Sequence, residues 1–251
     1  MGTFLKGSPY VYMGYWSEAV LHVLLPRACA HCREDMPFQA VEALCAACAA
    51  ALPSPPDPAC ARCGASLGVR RGFCAACAAR LFACRLTRAA VSYRGPAASL
   101  VHAFKFRGLR CAARAAGRVM AADFARRAEL QGFDALVPVP LHPRRERERG
   151  YNQALLLARE LGAATGLPVR ELLVRRKAAA PSWRLGRAAR REELSGAFAP
   201  KSGDGARGQR LLLIDDVCAS ATTLEECALA LRRAGAVDVA GYAFARAGRF
   251  T

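Results

Sequence analysis

An apolar run that leads directly into two adjacent aspartates constrains the fold of this chain more than any other feature. Residues 211–214 are all Leu or Ile, which is typical of a buried strand in a parallel sheet. Asp215 and Asp216 follow, then a loop of small and hydroxyl residues, and a helical pattern begins near Thr222. Because a helix N-terminus attracts anions, this arrangement favours a ribose-phosphate site at the carboxyl end of a strand. The alternative is a buried strand, a solvated aspartate pair and an ordinary helix start.

Paired cysteines dominate the first third of the chain. Eight of the 12 cysteines form four Cys-x-x-Cys pairs. The first two pairs together look like one zinc ribbon, and the last two look like a second. The spacing leaves open whether each ribbon closes its own site or the pairs interleave, and disulfides of a secreted protein are the alternative. The predicted ligands of two structural Zn²⁺ ions are Cys29, Cys32, Cys45, Cys48, Cys60, Cys63, Cys74 and Cys77. The cysteines expected to be small buried apolar residues are Cys84, Cys111, Cys218 and Cys227.

Strands and helices alternate after the cysteine pairs, which predicts a parallel α/β sheet. Proline-rich residues 53–58 separate the two cysteine units as a stiff spacer. The predicted strands span residues 86–93, 133–139, 167–174, 209–214 and 237–245. The predicted helices span residues 96–106, 110–127, 152–165 and 222–234. In such a sheet, ligands bind beyond the carboxyl ends of the strands.

A strongly basic segment, residues 141–149, follows the second predicted strand. We expect it to be a loop whose arginines bind a pyrophosphate group opposite the aspartate pair, since Arg suits bidentate phosphate recognition. The alternative is the start of a charged helix that carries Glu–Arg pairs.

The stretch around the aspartate pair resembles the phosphoribosyl diphosphate (PRPP) signature of type I phosphoribosyltransferases. In that signature the two aspartates are followed by an apolar residue, any residue, and then Thr-Thr-Gly-x-Thr. This chain matches at the aspartates and at Thr223, and Ser220 keeps a hydroxyl. Ala219 and Ala221 replace Thr and Gly, and Ala lacks the freedom of Gly to adopt a positive φ. The resemblance implies a sheet of the phosphoribosyltransferase kind and Mg²⁺ bound together with PRPP.

The order of motifs along the chain is similar to that of the ComF family, over about residues 20–248. That family carries a double zinc ribbon, a Lys-aromatic-Arg-Gly turn, Val-Pro-Val-Pro-Leu, Arg-Gly-aromatic-Asn-Gln, and then the PRPP motif. The corresponding motifs here are residues 105–108, 137–141, 149–153 and 215–216. Its members are implicated in uptake and processing of transforming DNA, bind PRPP-like ligands and, in some cases, bind single-stranded DNA.

The resemblance also implies a set of ligand-binding residues. They are Lys105, Arg144, Arg145, Arg149, Asn152, Gln153, Arg190, Asp215, Asp216, Ser220, Thr222 and Thr223. Residues 175–198 depart from the family pattern, with Ala179, Ser182 and Glu193 at the usual Thr, Gln and Asn positions. In phosphoribosyltransferases this region is a mobile hood over the site.

Charge and composition leave three functions open. The net charge is +17, of which residues 1–80 contribute only +2, and this favours polyanionic partners, although arginines on solvated faces are the alternative. The resemblance implies a competence factor that keeps the fold without turnover, and the eight basic residues and one acidic residue of positions 170–191 favour binding of single-stranded DNA. The other two possible functions are a phosphoribosyltransferase with an unknown acceptor and a ribose-phosphate sensor. A competence helicase or other uptake proteins are further expected partners.

The expected organisation has two parts. Residues 1–82 form an N-terminal helix and the double zinc ribbon, and residues 83–251 form the phosphoribosyltransferase-like domain. No stretch of about 18 apolar residues exists, so we expect no membrane insertion. Residues 19–25 are interpreted as an amphipathic helix rather than a signal peptide, which predicts a cytoplasmic location.

Overall fold

The computed structural model describes residues 27–37, 42–79, 82–177, 192–201, 203 and 205–248. The predicted helix at residues 19–25 and Arg190 lie outside these ranges. The elements, in chain order, are β1 (Arg27–Ala28), β2 (Asp35–Met36), α1 (Ala46–Ala50), α2 (Ala75–Ala78), β3 (Thr87–Ser92), α3 (Gly95–Phe106), α4 (Cys111–Ala125), a 3₁₀ turn (Ala128–Leu130), β4 (Ala135–Pro138), α5 (Pro143–Arg149), α6 (Gln153–Thr165), β5 (Leu173–Arg175), β6 (Phe198–Pro200), β7 (Arg210–Cys218), α7 (Thr222–Arg233) and β8 (Asp238–Arg246).

The body of the protein is a four-stranded parallel sheet in the order β3-β8-β7-β4. β7 is buried on both faces because its apolar side chains alternate between two cores. One core joins Leu212 and Ile214 to α3, α4 and α6, and the other joins Leu211 and Leu213 to α7. The fold class predicted from the sequence, a parallel α/β sheet with a small N-terminal double zinc ribbon, is confirmed.

β7 extends four residues beyond the predicted end at Ile214 and includes both aspartates. The extension follows from its neighbour, since β8 pairs with β7 as far as Cys218. The aspartates are therefore fixed by the sheet and do not project from a free strand end.

The basic segment after β4 is a helix, so the predicted loop at residues 141–149 is wrong and the charged-helix alternative is right. The His142 side chain accepts the Arg144 N–H at 3.3 Å, and Pro143 occupies the first helical position. Arg144 and Glu148 pair one turn apart, and Gly150 ends the helix with φ 79°.

The strand predicted at residues 167–174 is only partly present. Val169 forms a single parallel bridge with Leu136 in β4, next to Pro168, which has no N–H to donate. The chain then leaves the sheet, and β5 pairs antiparallel with β6 as a separate ribbon. β6 is an element that the sequence pattern did not indicate.

The second cysteine unit and the spacer cover the outer edge of β3. The Thr87 N–H donates to Arg62 O at 2.6 Å, and the Ser92 N–H donates to Pro53 O at 3.0 Å. The Ser92 hydroxyl also donates to Ser54 O at 2.6 Å. An open strand edge would be free to pair with another chain. The spacer therefore also closes the sheet.

A membrane-spanning helix needs about 20 apolar residues. Within the described ranges, no helix is both long enough and apolar enough to cross a bilayer.

Candidate functional site

Two clusters of four thiols lie in the N-terminal module. One comprises Cys29, Cys32, Cys45 and Cys48, the other Cys60, Cys63, Cys74 and Cys77, and within each cluster all sulfurs lie within 4.8 Å of one another. The first four are called ribbon 1 and the second four ribbon 2. Two sulfur pairs are 3.7 and 3.8 Å apart, close to the edge of about 3.8 Å in a tetrahedron with Zn–S bonds of about 2.3 Å. The thiols fit zinc, and each ribbon closes its own site.

The first cysteine of each ribbon accepts backbone N–H groups that stabilise its thiolate. The Cys45 N–H donates to Cys29 Sγ at 3.4 Å, and the Cys74 N–H donates to Cys60 Sγ at 3.3 Å. Burial raises the pKa of both thiols, but the amides around them outweigh burial and lower the pKa of Cys29 and Cys60 to about 6. Zinc binds the thiolate form, so Cys29 and Cys60 are the thiols best prepared for it, whereas burial raises the pKa of Cys48, Cys63 and Cys77.

An ion pair joins the Lys-aromatic-Arg-Gly motif to the aspartate pair. Lys105, near the end of α3, places Nζ 2.6 Å from Asp216 Oδ1. Asp216 is only 8% exposed, so this carboxylate is mostly excluded from solvent. Two predicted site residues that are 111 positions apart in the chain are thus in direct contact.

The two aspartates face opposite sides of the sheet, because successive side chains of a strand alternate. Before the aspartates, Leu212 and Ile214 share a core with α3, and Leu211 and Leu213 share a core with α7; after the aspartates, Val217 lies against the first core and Cys218 in the second. Asp216 meets Lys105 of α3, whereas Asp215 lines a concavity with Thr222 and Leu224 of α7.

Asp215 is the more perturbed of the two carboxyl groups. Burial and the charge of Asp216 raise the pKa of Asp215 to about 7, although Lys105, the Asp216 N–H and Arg175 act in the opposite direction. That N–H donates to Asp215 Oδ1 at 2.8 Å. A carboxyl group that titrates near neutral pH is suited to accept a proton. The sequence pattern alone indicated no such base.

The loop after β7 keeps a glycine-like backbone without a glycine. Ala221 has φ 58° and ψ 3° in the left-handed region and caps α7 with no side-chain hydrogen bond. For a residue other than Gly, this conformation costs roughly 1–2 kcal/mol. Ser220 Oγ and Thr222 Oγ1 are 2.9 Å apart, and Thr222 is buried whereas Thr223 is half-buried. The three hydroxyl residues predicted to bind phosphate thus lie together at the start of α7.

The Arg-Gly-aromatic-Asn-Gln motif braces the same edge of the sheet. The Tyr151 hydroxyl donates to Phe104 O in α3. The Asn152 amide donates to Val139 O at 3.0 Å, and its Oδ1 accepts the Ala154 N–H at 3.0 Å to cap α6. Tyr151 and Asn152 therefore hold the ends of α3, β4 and α6 together.

Gln153 and Arg149 are the remaining polar residues of this motif. Gln153 is 1% exposed, and its Nε2 has no hydrogen-bond partner among the described residues. A buried donor of this kind costs free energy unless a water or ligand accepts its hydrogen bond. Arg149 lies over the Phe106 ring; burial lowers the pKa of its guanidinium, and the charge of Asp216 partly offsets this. Arg149 is thus on the Asp216 side of the site.

The two arginines predicted to bind pyrophosphate lie on the outer surface of α5. Arg144 and Arg145 are exposed and pair with Glu148 at 3.2 and 3.7 Å. Arg190 lies outside the described residues.

Two residues near the aspartates, Arg175 and Glu225, were not among the predicted ligand-binding residues, and Arg175 falls in the basic segment expected to bind DNA. The charge of Arg175 in β5 lowers the pKa of Asp215. The Glu225 carboxylate accepts the N–H groups of Ala83 and Cys84 at 2.7 and 3.1 Å, which ties α7 to the chain that leaves ribbon 2. An acidic residue in the first turn of a helix is the signal that could have indicated Glu225.

Three of the unpaired cysteines are buried as predicted, namely Cys84, Cys218 and Cys227. Cys111 is exposed, because it begins α4, and the prediction for it is wrong. Burial raises the pKa of the Cys218 thiol, so a reactive thiolate in the loop is disfavoured.

Comparisons with known proteins agree with these motifs. Residues 20–78 match the double zinc ribbon domain. "Competence protein F" of Haemophilus influenzae is 30% identical over 87% of this chain and 96% of that protein. "DNA utilization protein YhgH" of Salmonella typhimurium is 33% identical over 59% of this chain and 66% of its own length.

Solved structures with a similar fold match this chain at low sequence identity. The glutamine PRPP amidotransferase of B. subtilis has a TM-score of 0.38 and 17% identity, over 56% of this chain and 30% of that one. The Leishmania donovani hypoxanthine-guanine phosphoribosyltransferase has a TM-score of 0.33 and 16% identity, over 53% of this chain and 70% of that one. The match to competence protein F, which spans nearly the whole of both proteins, decides the family: the chain belongs to the ComF family.

Proposed function

We propose that this protein handles incoming DNA during natural transformation, binds a PRPP-like ribose phosphate at the carboxyl edge of its sheet, and binds single-stranded DNA on its basic surface. The role in competence is supported by the family and by the printed names of its relatives, which concern competence and DNA utilization.

The ion pair between Lys105 and Asp216 is the observation that carries the ligand proposal. It supports convergence of the family motifs on one edge of the sheet. Tyr151 of the Arg-Gly-aromatic-Asn-Gln motif donates a hydrogen bond to Phe104 O, close to Lys105 at the same end of α3. The hydroxyl loop supplies the N-terminus of α7, where a phosphate is favoured. The orphan amide of Gln153 supplies a donor that nothing in the described protein satisfies.

The aspartate pair also suits Mg²⁺ bound with the ligand. Carboxylate oxygens are ligands that Mg²⁺ prefers, and it is commonly held by one or two carboxylates together with substrate phosphates. Lys105 pairs with Asp216, and burial raises the pKa of Asp215 to about 7, so Mg²⁺ bound there would have to displace a proton.

Calorimetry with PRPP and Mg²⁺ tests this proposal. We expect binding by the parent protein and a loss of at least about tenfold, or ~1.4 kcal/mol, in the Asp215→Asn and Asp216→Asn variants. Asp238→Asn is the matched control, because Asp238 lies at the opposite end of the sheet and pairs with Arg85. Unchanged affinity in both site variants would refute the site.

The DNA proposal rests on exposed arginines of α5 and on the basic segment at residues 170–191. Arg144 and Arg145 are exposed, and their partner Glu148 is exposed too, so these pairs contribute little and leave the guanidiniums open to phosphates. Aromatic residues are sparse in the basic segment, with Trp183 alone, so we expect little sequence preference.

Salt dependence tests the DNA proposal. Log affinity for single-stranded DNA should fall with log salt at about −0.7 per phosphate neutralised. Arg144→Glu with Arg145→Glu should weaken binding to all sequences alike and flatten that slope. Arg159→Glu with Arg233→Glu makes the same charge change at exposed positions elsewhere. Equal losses in the two double variants would mean that only net charge matters.

A phosphoribosyl transfer is the second candidate, and the pKa of Asp215 near 7 is the observation that favours it. A base with this pKa could take a proton from an acceptor while Asp216 and Lys105 stabilise charge at the ribose. Release of pyrophosphate from PRPP across a panel of acceptors is the test. No release above the Asp215→Asn background would leave the binding role alone.

We also infer a cytoplasmic location, with uptake proteins such as a competence helicase as partners. Thiol clusters that bind zinc persist where thiols stay reduced. Cell fractionation tests the location, and co-purification with tagged uptake proteins tests the partners.

A further inference from the structure

A cavity of about 430 Å³ lies between the proline-rich spacer and the outer edge of the sheet. Three arginines line it: Arg88 from β3, Arg127 from the segment after α4, and Arg246 from the end of β8. None of its lining residues lines the concavity formed by Asp215 and the loop after β7. Its volume lies within the range of about 300–1,000 Å³ for small-molecule sites. The cavity is therefore a separate place for a ligand.

Two of these arginines are neutralised within the protein. Arg88 Nε is 3.1 Å from Glu129 Oε1, and Arg127 Nε is 2.6 Å from Asp123 Oδ2. Asp57 is the one acidic residue in the lining, and it is exposed.

Arg246 differs because no carboxylate within the described residues lies within 4.0 Å of it. It is 4% exposed, and its Nη1 donates to the carbonyl oxygen of Cys218 at 3.2 Å and to the Sγ at 2.9 Å. Among the residues that the structure describes, its Nε has no hydrogen-bond partner. Burial of an unpaired charge costs several kcal/mol unless an opposite charge compensates it. A guanidinium of this kind at the wall of a cavity is suited to an anion, and above all to phosphate.

We propose that this cavity is a second anion site, which takes a phosphate group from inorganic phosphate or from a phosphate monoester against Arg246. Because Arg88 and Arg127 are already paired with Glu129 and Asp123, the charge for an anion comes from Arg246, and Ser54 is a further polar residue in the lining. The described lining of this site shares no residue with that of the aspartate edge, but the two adjoin, because Arg246 donates to Cys218 in the loop after β7. The proposal does not depend on the ribose-phosphate function proposed above.

The competing explanation is that Arg246 is the counter-charge of ribbon 2. The charge of Arg246 lowers the pKa of Cys63, against the larger effect of burial, which raises it. If the thiolates of ribbon 2 were its only partner, Arg246 would serve zinc binding and the cavity would take no anion.

Titration of the zinc-loaded full-length protein with inorganic phosphate, and separately with AMP, tests the proposal. Arg246→Gln removes the charge, and Ala59→Leu fills the cavity and leaves every charge in place, because Ala59 is part of the lining. Arg85→Gln is the control, an exposed arginine outside the cavity. We expect the parent and Arg85→Gln to bind phosphate, and both cavity variants to bind at least about tenfold more weakly. Tighter binding of AMP than of phosphate would assign a monoester, and the reverse would assign free phosphate.

Crystals of the parent protein soaked in selenate keep the test decisive if a variant fails to fold. An anomalous peak beside Arg246 supports the site, and a peak only at the loop after β7 overturns it. Loss of zinc from ribbon 2 in Arg246→Gln, with an unchanged phosphate response in Ala59→Leu, would identify Arg246 as a counter-charge and would also overturn the proposal.

Discussion

The two zinc ribbons share one motif but have different neighbours. In ribbon 1, Cys29 and Cys48 are part of the core that contains Leu100 of α3, and His31 Nδ1 lies 3.0 Å from Ser99 Oγ in the same helix. In ribbon 2, the buried cysteines pack against Ala221 of the loop after β7.

This difference predicts different roles for two ribbons that share one sequence pattern. Ribbon 1 packs in the core that contains Leu100 of α3, so we expect its zinc to stabilise that packing. Ribbon 2 lies against the loop that begins α7, and Glu225 of α7 accepts N–H groups from the chain that follows it. Ribbon 2 should therefore position the phosphate loop, and ribbon 1 should not.

Removing each zinc site separately should give the largest effect that distinguishes the two ribbons. Cys60→Ser with Cys63→Ser should remove one zinc per chain and weaken PRPP binding by at least about tenfold. Cys29→Ser with Cys32→Ser should also remove one zinc and lower thermal stability, since zinc binding free energy is folding free energy, but PRPP affinity should stay close to that of the parent. Metal analysis, calorimetry and thermal unfolding measure the three effects. Equal losses of PRPP affinity would contradict the comparison.

The comparison extends to the two aspartates, because Asp216 faces the helices that support ribbon 1 and Asp215 faces α7. The folded protein raises the pKa of Asp215 from 3.8 to about 7. Between these values the folded state holds a proton that the unfolded state has lost, so stability should fall as pH rises from about 4 to 7 and then level off. At 1.36 kcal/mol per pKa unit, the effect is at most ~4 kcal/mol.

Asp215→Asn should remove this pH dependence and be more stable than the parent at pH 8. Urea unfolding at several pH values measures it, with Asp238→Asn as the control. A parent protein whose stability rises over this range would exclude the raised pKa.

Glu225→Gln tests the link between ribbon 2 and α7. Hydrogen bonds to a charged group contribute about 1.5–3 kcal/mol, and the amide retains only one acceptor oxygen for two N–H donors. We expect a loss of ~2 kcal/mol in the free energy of unfolding and a smaller loss of PRPP affinity. Glu226→Gln is the neighbouring control, because Glu226 accepts an exposed N–H from Gly196. A stability loss as large in the control would assign the effect to charge alone.

The sequence predicted the sheet well because apolar runs and helix periodicity report burial directly. It predicted the eight zinc ligands for a similar reason, since CxxC spacing is set by tetrahedral geometry. It failed at residues 141–149, where a charged surface helix has no apolar face to detect. It also did not indicate that the charge of Arg175 acts on Asp215, because no local pattern reports an interaction between a short ribbon and a distant strand.

The smallest expected effect concerns Ala221, where ribbon 2 meets the phosphate loop. Ala221→Gly should relieve the left-handed strain of roughly 1–2 kcal/mol, while the greater freedom of Gly in the unfolded chain costs about 0.5–1 kcal/mol. The net gain in the free energy of unfolding should therefore be below ~1 kcal/mol, and the lost methyl contact with the cysteines of ribbon 2 reduces it further. Urea unfolding measures this gain. Ala219→Gly is the control, because Ala219 does not have a positive φ. If Ala221→Gly lowers stability as much as Ala219→Gly does, contact with ribbon 2 rather than backbone strain sets the conformation of this loop. Ribbon 2 would then support the site through its packing against Ala221 as well as through its zinc.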